Sequence, residues 1–154
     1  MAAVWDKWIG KEMYWYPLTR MFVGNFVKPI TKPFQCDLYD LVPLNYRAKP
    51  ECFLSHSWDT PIHCIFKACP EDNRGAQSYW LDLFCINQHC YGDDIGKIGK
   101  IVENIKNTTV VRRGEGVPEY NLRCMYRSWC IYEVVHTPND CLNFFCFCAL
   151  RYFF

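Results

Sequence analysis

Apolar residues recur along this chain with two different rhythms, and the rhythms alternate. Glu51-Cys-Phe-Leu-Ser-His56 holds a short continuous apolar run, as a strand covered on both faces does. Behind a threonine cap and Pro61, the stretch Thr60 to Cys69 places Ile62, Ile65 and Phe66 at helical spacing, which predicts a short helix. Pro70 to Gly75 reads as a loop, and Tyr79 to Ile86, nearly continuous in its apolar character, predicts a second strand. Asp93 and Asp94 then precede Ile95, Ile98, Ile101, Val102 and Ile105, whose three and four spacing predicts an amphipathic helix. Gly96 and Gly99 weaken it by about 1 kcal/mol each relative to alanine. Thr108 to Arg112 predicts a third strand, Arg113 to Pro118 a Gly-rich loop, and Tyr120 to His136 a third helix. After the turn Pro138-Asn139-Asp140, the run Cys141 to Leu150 predicts a last strand. Strands alternating with helices predict an α/β fold with a parallel sheet and helices on both faces.

Residues 1–50 have another texture. Trp5, Trp8, Tyr14, Trp15 and Tyr16 alternate with charges, and Lys28-Pro29, Lys32-Pro33 and Lys49-Pro50 follow. Proline interrupts regular structure and biases its predecessor toward extended backbone. The pattern predicts an irregular arm with at most one short helix or strand, packed by its aromatics on a domain formed by residues 51–154. Tryptophan and tyrosine are also favoured in interfaces, so the same residues fit an oligomer contact.

Composition narrows the class. A chain of 154 residues that is 51% hydrophobic and 18% aromatic can bury one ordinary core. A net charge of +1 gives no steering toward nucleic acid or an acidic membrane surface. The 11 cysteines are odd in number and scattered, and the first residues lack the apolar core of a secretory signal. Cys52, Cys85, Cys130 and Cys146 sit inside apolar runs, where cysteine behaves as a small hydrophobe. A reduced, cytoplasmic protein is expected, and the Asn107-Thr108-Thr109 sequon is then without effect. Zinc sites pair their ligands at short regular spacing. No Cys-x-x-Cys occurs, and His56, His63, Cys64 and Cys69 show no such spacing, so no metal is expected. The apolar tail from Cys141 to Phe154 is too short to span a bilayer as a helix and reads better as a buried strand.

Candidate chemistry concentrates in three places. In Cys124-Met-Tyr-Arg-Ser-Trp-Cys-Ile-Tyr-Glu133 a lone carboxylate stands among apolar and aromatic residues, and on a helix Trp129 and Glu133 share a face. A shielded carboxylate is either paired, here with Arg123 or Arg127, or employed. In a doubly wound sheet ligands bind beyond the carboxyl ends of the strands, which puts Ser55, His56, Ser57, Trp58 and Asp59 after the first strand and Asn87, Gln88 and His89 after the second near such a crevice. Each also fits a plain structural role. Ser57 or Asp59 can cap a helix, and Asn87 and Gln88 can satisfy loop backbone. Asp82 falls within the predicted strand rather than at its end. No Gly-x-Gly-x-x-Gly or Walker loop is present. Arg112 and Arg113 are the cationic candidates for a phosphate, or solvated loop charges.

Taken in order, Glu51-Cys-Phe-Leu-Ser-His-Ser-Trp58, Trp80-Leu-Asp-Leu-Phe-Cys-Ile-Asn-Gln-His89 and Arg127-Ser-Trp-Cys-Ile-Tyr-Glu133 resemble the TIR-like domains. The stretch from Trp80 to Val111 is equally similar to the related fungal heterokaryon-incompatibility (HET) domains. The resemblance spans residues 50–150 and implies a flavodoxin-like three-layer fold with a central parallel sheet of about four to five strands. A complete TIR-like domain continues further, so the expectation is a minimal or C-terminally truncated one. Catalytic TIR domains cleave NAD at the nicotinamide–ribose bond with a glutamate that follows a tryptophan by four residues. The resemblance therefore implies Glu133 as catalytic carboxylate, with Trp129 as its packing partner. By their residue types and places in the chain, Ser55, His56, Trp58, Asn87 and Gln88, with Asp82 and Trp129 beside them, are the substrate-binding candidates. NAD enters as substrate, with no bound cofactor. One ionised glutamate would stabilise the positive charge that develops on the ribose as neutral nicotinamide departs. Implied partners are further copies of the chain, joined by TIR–TIR contacts in cell-death or immune-type signalling. A module that works by self-association without turnover is the alternative from another class.

Overall fold

The computed structural model describes residues 17–71, 77–90, 92–113 and 127–147. Four strands, β1 (Cys52–His56), β2 (Tyr79–Trp80), β3 (Thr108–Arg113) and β4 (Leu142–Phe147), pair in the order β2-β1-β3-β4. All three pairings are parallel, with Phe53 opposite Trp80 and Thr108, and Thr108 opposite Leu142. Only two residues of β2 pair, so the sheet rests on β1, β3 and β4.

A helical run, α1, opens as α-helix at Thr19–Phe22, widens into a π-helical stretch at Val23–Val27 and closes as α-helix at Lys28–Thr31. It is followed in the chain by α2 (Ile62–Glu71), α3 (Asp82–Cys85), α4 (Gly92–Ile95), α5 (Ile98–Ile105) and α6 (Ser128–His136). Alternate residues of β1 enter different cores, because successive side chains leave a strand on opposite sides. Cys52 and Leu54 join Val23 and Val27 of α1, Ile62, Cys64, Ile65 and Ala68 of α2, and Leu83 of α3. Phe53 instead stacks on Trp80, 4.7 Å between ring centres, in a cluster with Ile98 and Val102 of α5. Val110 of β3 meets Cys130 of α6. Covering both sides explains why all five residues of β1 are buried and why the strand reads as an unbroken apolar run.

Three elements differ from the pattern-based expectation. The second strand does not reach Ile86. It ends at Trp80, because the Asp82 carboxylate accepts the backbone N–H of Leu83 at 2.6 Å and the Leu81 carbonyl accepts those of Phe84 and Cys85, starting a helical turn. A short apolar run fits a buried strand and a buried helical turn equally well. Asp82 thus stands just past a strand end rather than within a strand. The amphipathic helix expected from Asp93 is broken at Gly96-Lys97 into α4 and α5. Between residues 17 and 50 the chain is more regular than its Lys-Pro pairs suggest. Pro29 lacks an N–H and would crowd a preceding carbonyl in a regular helix, whereas the π-helical stretch bonds Lys28 N–H to Val23 O and makes room for it.

Trp5, Trp8, Tyr14, Trp15 and Tyr16, the Gly-rich loop from residue 114, the first turns of the helix expected from Tyr120, and the tail beyond Phe147 lie outside the described residues. No described helix is long and apolar enough to cross a membrane.

Helix α5 crosses α6 at Gly99, where an added Cβ would sit 2.6 Å from Tyr132 Oη and 2.9 Å from His136 Cδ2. Gly99→Val is therefore expected to destabilise the fold by about 1–3 kcal/mol through overpacking. A urea midpoint unchanged from wild type would show that the two aromatic rings give way freely.

Candidate active site

Several of the buried polar residues gather at the carboxyl end of β1. Ser55, His56, Ser57, Gln88 and Glu133 are all buried, none more than 6% exposed. Ser55 leaves the strand on the same side as Phe53, toward α6, and its Oγ–H donates to Glu133 Oε2 at 2.5 Å across 78 positions of sequence. Glu133 reaches it because α6 is pinned from within. Thr137 Oγ1 bonds Thr108 Oγ1 of β3 at 2.8 Å and the Glu133 carbonyl at 2.9 Å, while the Cys130 thiol lies 3.6 Å from the His56 carbonyl.

Burial dominates the electrostatics of this carboxyl. Loss of water pushes its pKa up from 4.5 to about 8. The Ser55 hydrogen bond opposes the rise, the Asp82 charge adds to it and the Arg127 charge opposes it. The group is therefore mainly protonated at neutral pH. Desolvation thus outweighs the single hydroxyl donor and the Arg127 charge.

A second group of contacts centres on Asp82. Its Oδ2 accepts Trp58 Nε1–H at 2.8 Å, and its Oδ1 lies 3.5 Å from His56 Nε2, without hydrogen-bond geometry. Gln88 donates Nε2–H to the carbonyls of Asp82 at 3.0 Å and Ile86 at 3.2 Å, and its buried Oε1 has no hydrogen-bond partner among the described residues. Because Ser55 and His56 are consecutive, β1 joins the Glu133 pair to the Asp82 group.

The remaining candidates are placed differently. Asn87 turns away toward α1, donating to the Gln35 carbonyl at 2.6 Å and accepting the His89 N–H at 2.9 Å. Trp129 shares the helix face of Glu133 but packs with the Phe53 cluster and stacks on Tyr132, 5.7 Å between centres. Ser57 and Asp59 form a local turn, the serine Oγ accepting the Asp59 N–H at 3.2 Å, and Asp59 pairs with Arg20. Arg112 and Arg113 belong to β3 by their backbone, and their side chains, with Arg123, lie outside what is described. Sequence reasoning passed over Thr137 and Thr108. The signal for Thr137 was its position four residues after Glu133, on the same helix face.

Among the described residues no three His, Cys, Asp or Glu side chains converge as a metal would require. The arrangement offers a buried carboxyl with a hydroxyl donor beside it and an indole and imidazole around a second carboxylate. Such a carboxyl can deliver a proton, or, when a cationic group enters, ionise and balance its charge. Removing the Ser55 hydroxyl deletes the one hydrogen bond that favours ionisation. Ser55→Ala is accordingly expected to raise the Glu133 pKa further, as read from the carboxyl carbon resonance against pH. A lower or unchanged pKa would show that the hydroxyl does not serve the ionised form.

Comparison with known protein families, with curated proteins and with solved structures finds no match. What fold and site define together is a class: an α/β domain with a buried carboxyl at the carboxyl edge of a parallel sheet.

Proposed function

We propose that this chain is a TIR-like, flavodoxin-like domain that cleaves NAD at the bond between nicotinamide and ribose. The observation that carries the reading is the buried Ser55–Glu133 pair at the carboxyl end of β1, where ligands of doubly wound sheets bind. The strand order β2-β1-β3-β4 supports the fold assignment, since flavodoxin-like sheets begin in that order.

The chemistry follows from the charges. The pyridinium ring of NAD is a cation. Brought beside Glu133, it favours the ionised carboxyl and lowers the pKa that burial has raised. The bond from ribose C1 to the ring nitrogen then breaks with its electron pair moving to the ring, so nicotinamide leaves neutral. Positive charge passes to the ribose, where the Glu133 carboxylate stabilises it until water adds at C1 and releases a proton. Trp58, whose indole N–H is fixed by Asp82, offers a ring face for nicotinamide, and His56 and Gln88 supply polar groups around it. Nicotinamide release from NAD by the purified protein, at a concentration that favours assembly, tests the reading.

A second reading is a non-catalytic module that self-associates in signalling. It is favoured by the outer face of α6, opposite Glu133, where Ile131 is 46% and Val135 72% exposed. Sedimentation at increasing concentration, with wild type and Val135→Lys, tests it. Self-association lost in the variant, together with an absence of nicotinamide release by the wild type, would favour this second reading over the first.

A further inference from the structure

The two loops that carry the site are joined by α1, and its two ends are attached in unequal ways. At the Thr19 end the attachment is mostly backbone. Thr19 N–H donates to Thr60 O at 2.9 Å, Arg20 N–H to Trp58 O at 3.0 Å and Ile62 N–H to Pro17 O at 3.0 Å, with an isolated bridge between Leu18 and Pro61. Thr19 Oγ1 adds a bond to Thr60 O at 2.7 Å, and Arg20 pairs with Asp59. The far end is held to the loop after α3 by side chains. Thr31 Oγ1 lies 2.8 Å from His89 Nε2, and Asn87 Nδ2–H donates to Gln35 O at 2.6 Å. The Thr31 hydroxyl gives its one hydrogen to Val27 O at 2.8 Å, so His89 must carry its proton on Nε2 and donate it. Gln35, next to this end, is held at φ 51°, a conformation that side-chain-bearing residues rarely adopt.

Between the two ends lies the π-helical stretch Val23–Val27, with one wide turn where the run can bend and an exposed Gly24 whose surroundings are open. The loop after α3 in turn supports the site, since Gln88 holds the carbonyl of Asp82, and Asp82 holds Trp58.

We propose that α1 is a hinged strap, fixed at Thr19, bending at Val23–Val27 and latched by Thr31 and Gln35 onto the loop Asn87–His89. Release of the latch frees that loop and loosens the Asp82–Trp58 contact, giving a ligand access to side chains that are closed off in the latched form. The strap acts on the location of the site and is independent of which reaction the site performs.

Thr31→Val keeps the shape of the buried residue and removes the latch hydroxyl. Hydrogen exchange followed by NMR is the measurement, with the Trp58 indole resonance identified by its loss in Trp58→Phe. The expected result is exchange about three- to tenfold faster at the amides of Phe34, Gln35 and His89 and at the Trp58 indole, the scale of one lost hydrogen bond. The amides of Thr19 and Arg20 should keep the wild-type rate. Equal acceleration at both ends of α1 would overturn the hinge, and acceleration at the latch without the indole would overturn the link to the site. Gly24→Ala, which stiffens the bend and whose Cβ meets nothing within 4 Å, provides an independent variant. It should slow exchange at Gln35 and His89, and no slowing would likewise count against the hinge.

Discussion

Nicotinamide release from NAD is expected to fall by about 10²–10³-fold in Glu133→Gln, a loss comparable to removal of one preorganised group that stabilises transition-state charge. Glutamine matches the volume of the side chain and keeps a partner for Ser55, so the loss would report charge rather than shape. Wild-type pH dependence offers a second test of the same residue. With the free carboxyl titrating at about 8, kcat/KM should climb about tenfold per pH unit below that value and level off above it. Glutamine has nothing to titrate there, and any residual activity should be flat across the range. A folded, self-associating wild type that releases no nicotinamide would overturn the enzymatic reading. An activity that falls as pH rises toward 8 would show that the protonated carboxyl is the working form.

The second large effect is on stability, and it has the opposite sign. Burial raises the Glu133 pKa from 4.5 to about 8, so the folded protein holds this proton over a pH window in which the unfolded chain has lost it. Below pH 4.5 both states are protonated and the group costs the fold nothing through ionisation. From there to about pH 8 the unfolded state gains by ionising while the native state does not, so stability declines, and above 8 the decline stops. The full window corresponds to roughly 3–5 kcal/mol at 1.36 kcal/mol per unit. Glu133→Gln abolishes that loss. It is expected to match wild type near pH 4.5 and to exceed it by roughly ten degrees in Tm near pH 8.5. Equal melting temperatures at both pH values would mean that water reaches the carboxyl in solution. The same substitution thus removes activity and adds stability, as expected where a functional group is held in an unfavourable environment.

The sequence made β1, β3, β4, α2 and the inward helix face at Glu133 legible, because each is a local pattern. Cys52 to His56 is apolar without a break since both sides are covered, and Ile98 and Val102 fall four apart on one side of α5. The pattern was uninformative where an apolar run permits two conformations. Leu81 to Ile86 would be buried as strand or as helical turn, and the choice fell to one carboxylate, Asp82, bonding the next backbone N–H. It was equally silent at Lys28-Pro29, where a widened turn tolerates what a regular helix rejects.

By itself, then, the sequence determined the alternation of strand and helix from Cys52 onward, the unbroken apolar run of β1 and the isolation of one glutamate among apolar neighbours, all of which depend on side chains a few positions apart. Only the tertiary structure decided that Glu133 meets Ser55 across 78 positions, that His56, Trp58 and Gln88 gather round Asp82, and that α1 ties the two loops of the site together. It decided the charge of the site as well. Whether a carboxyl is ionised depends on the water removed from it and on the donors brought to it, and both come from segments distant in the chain.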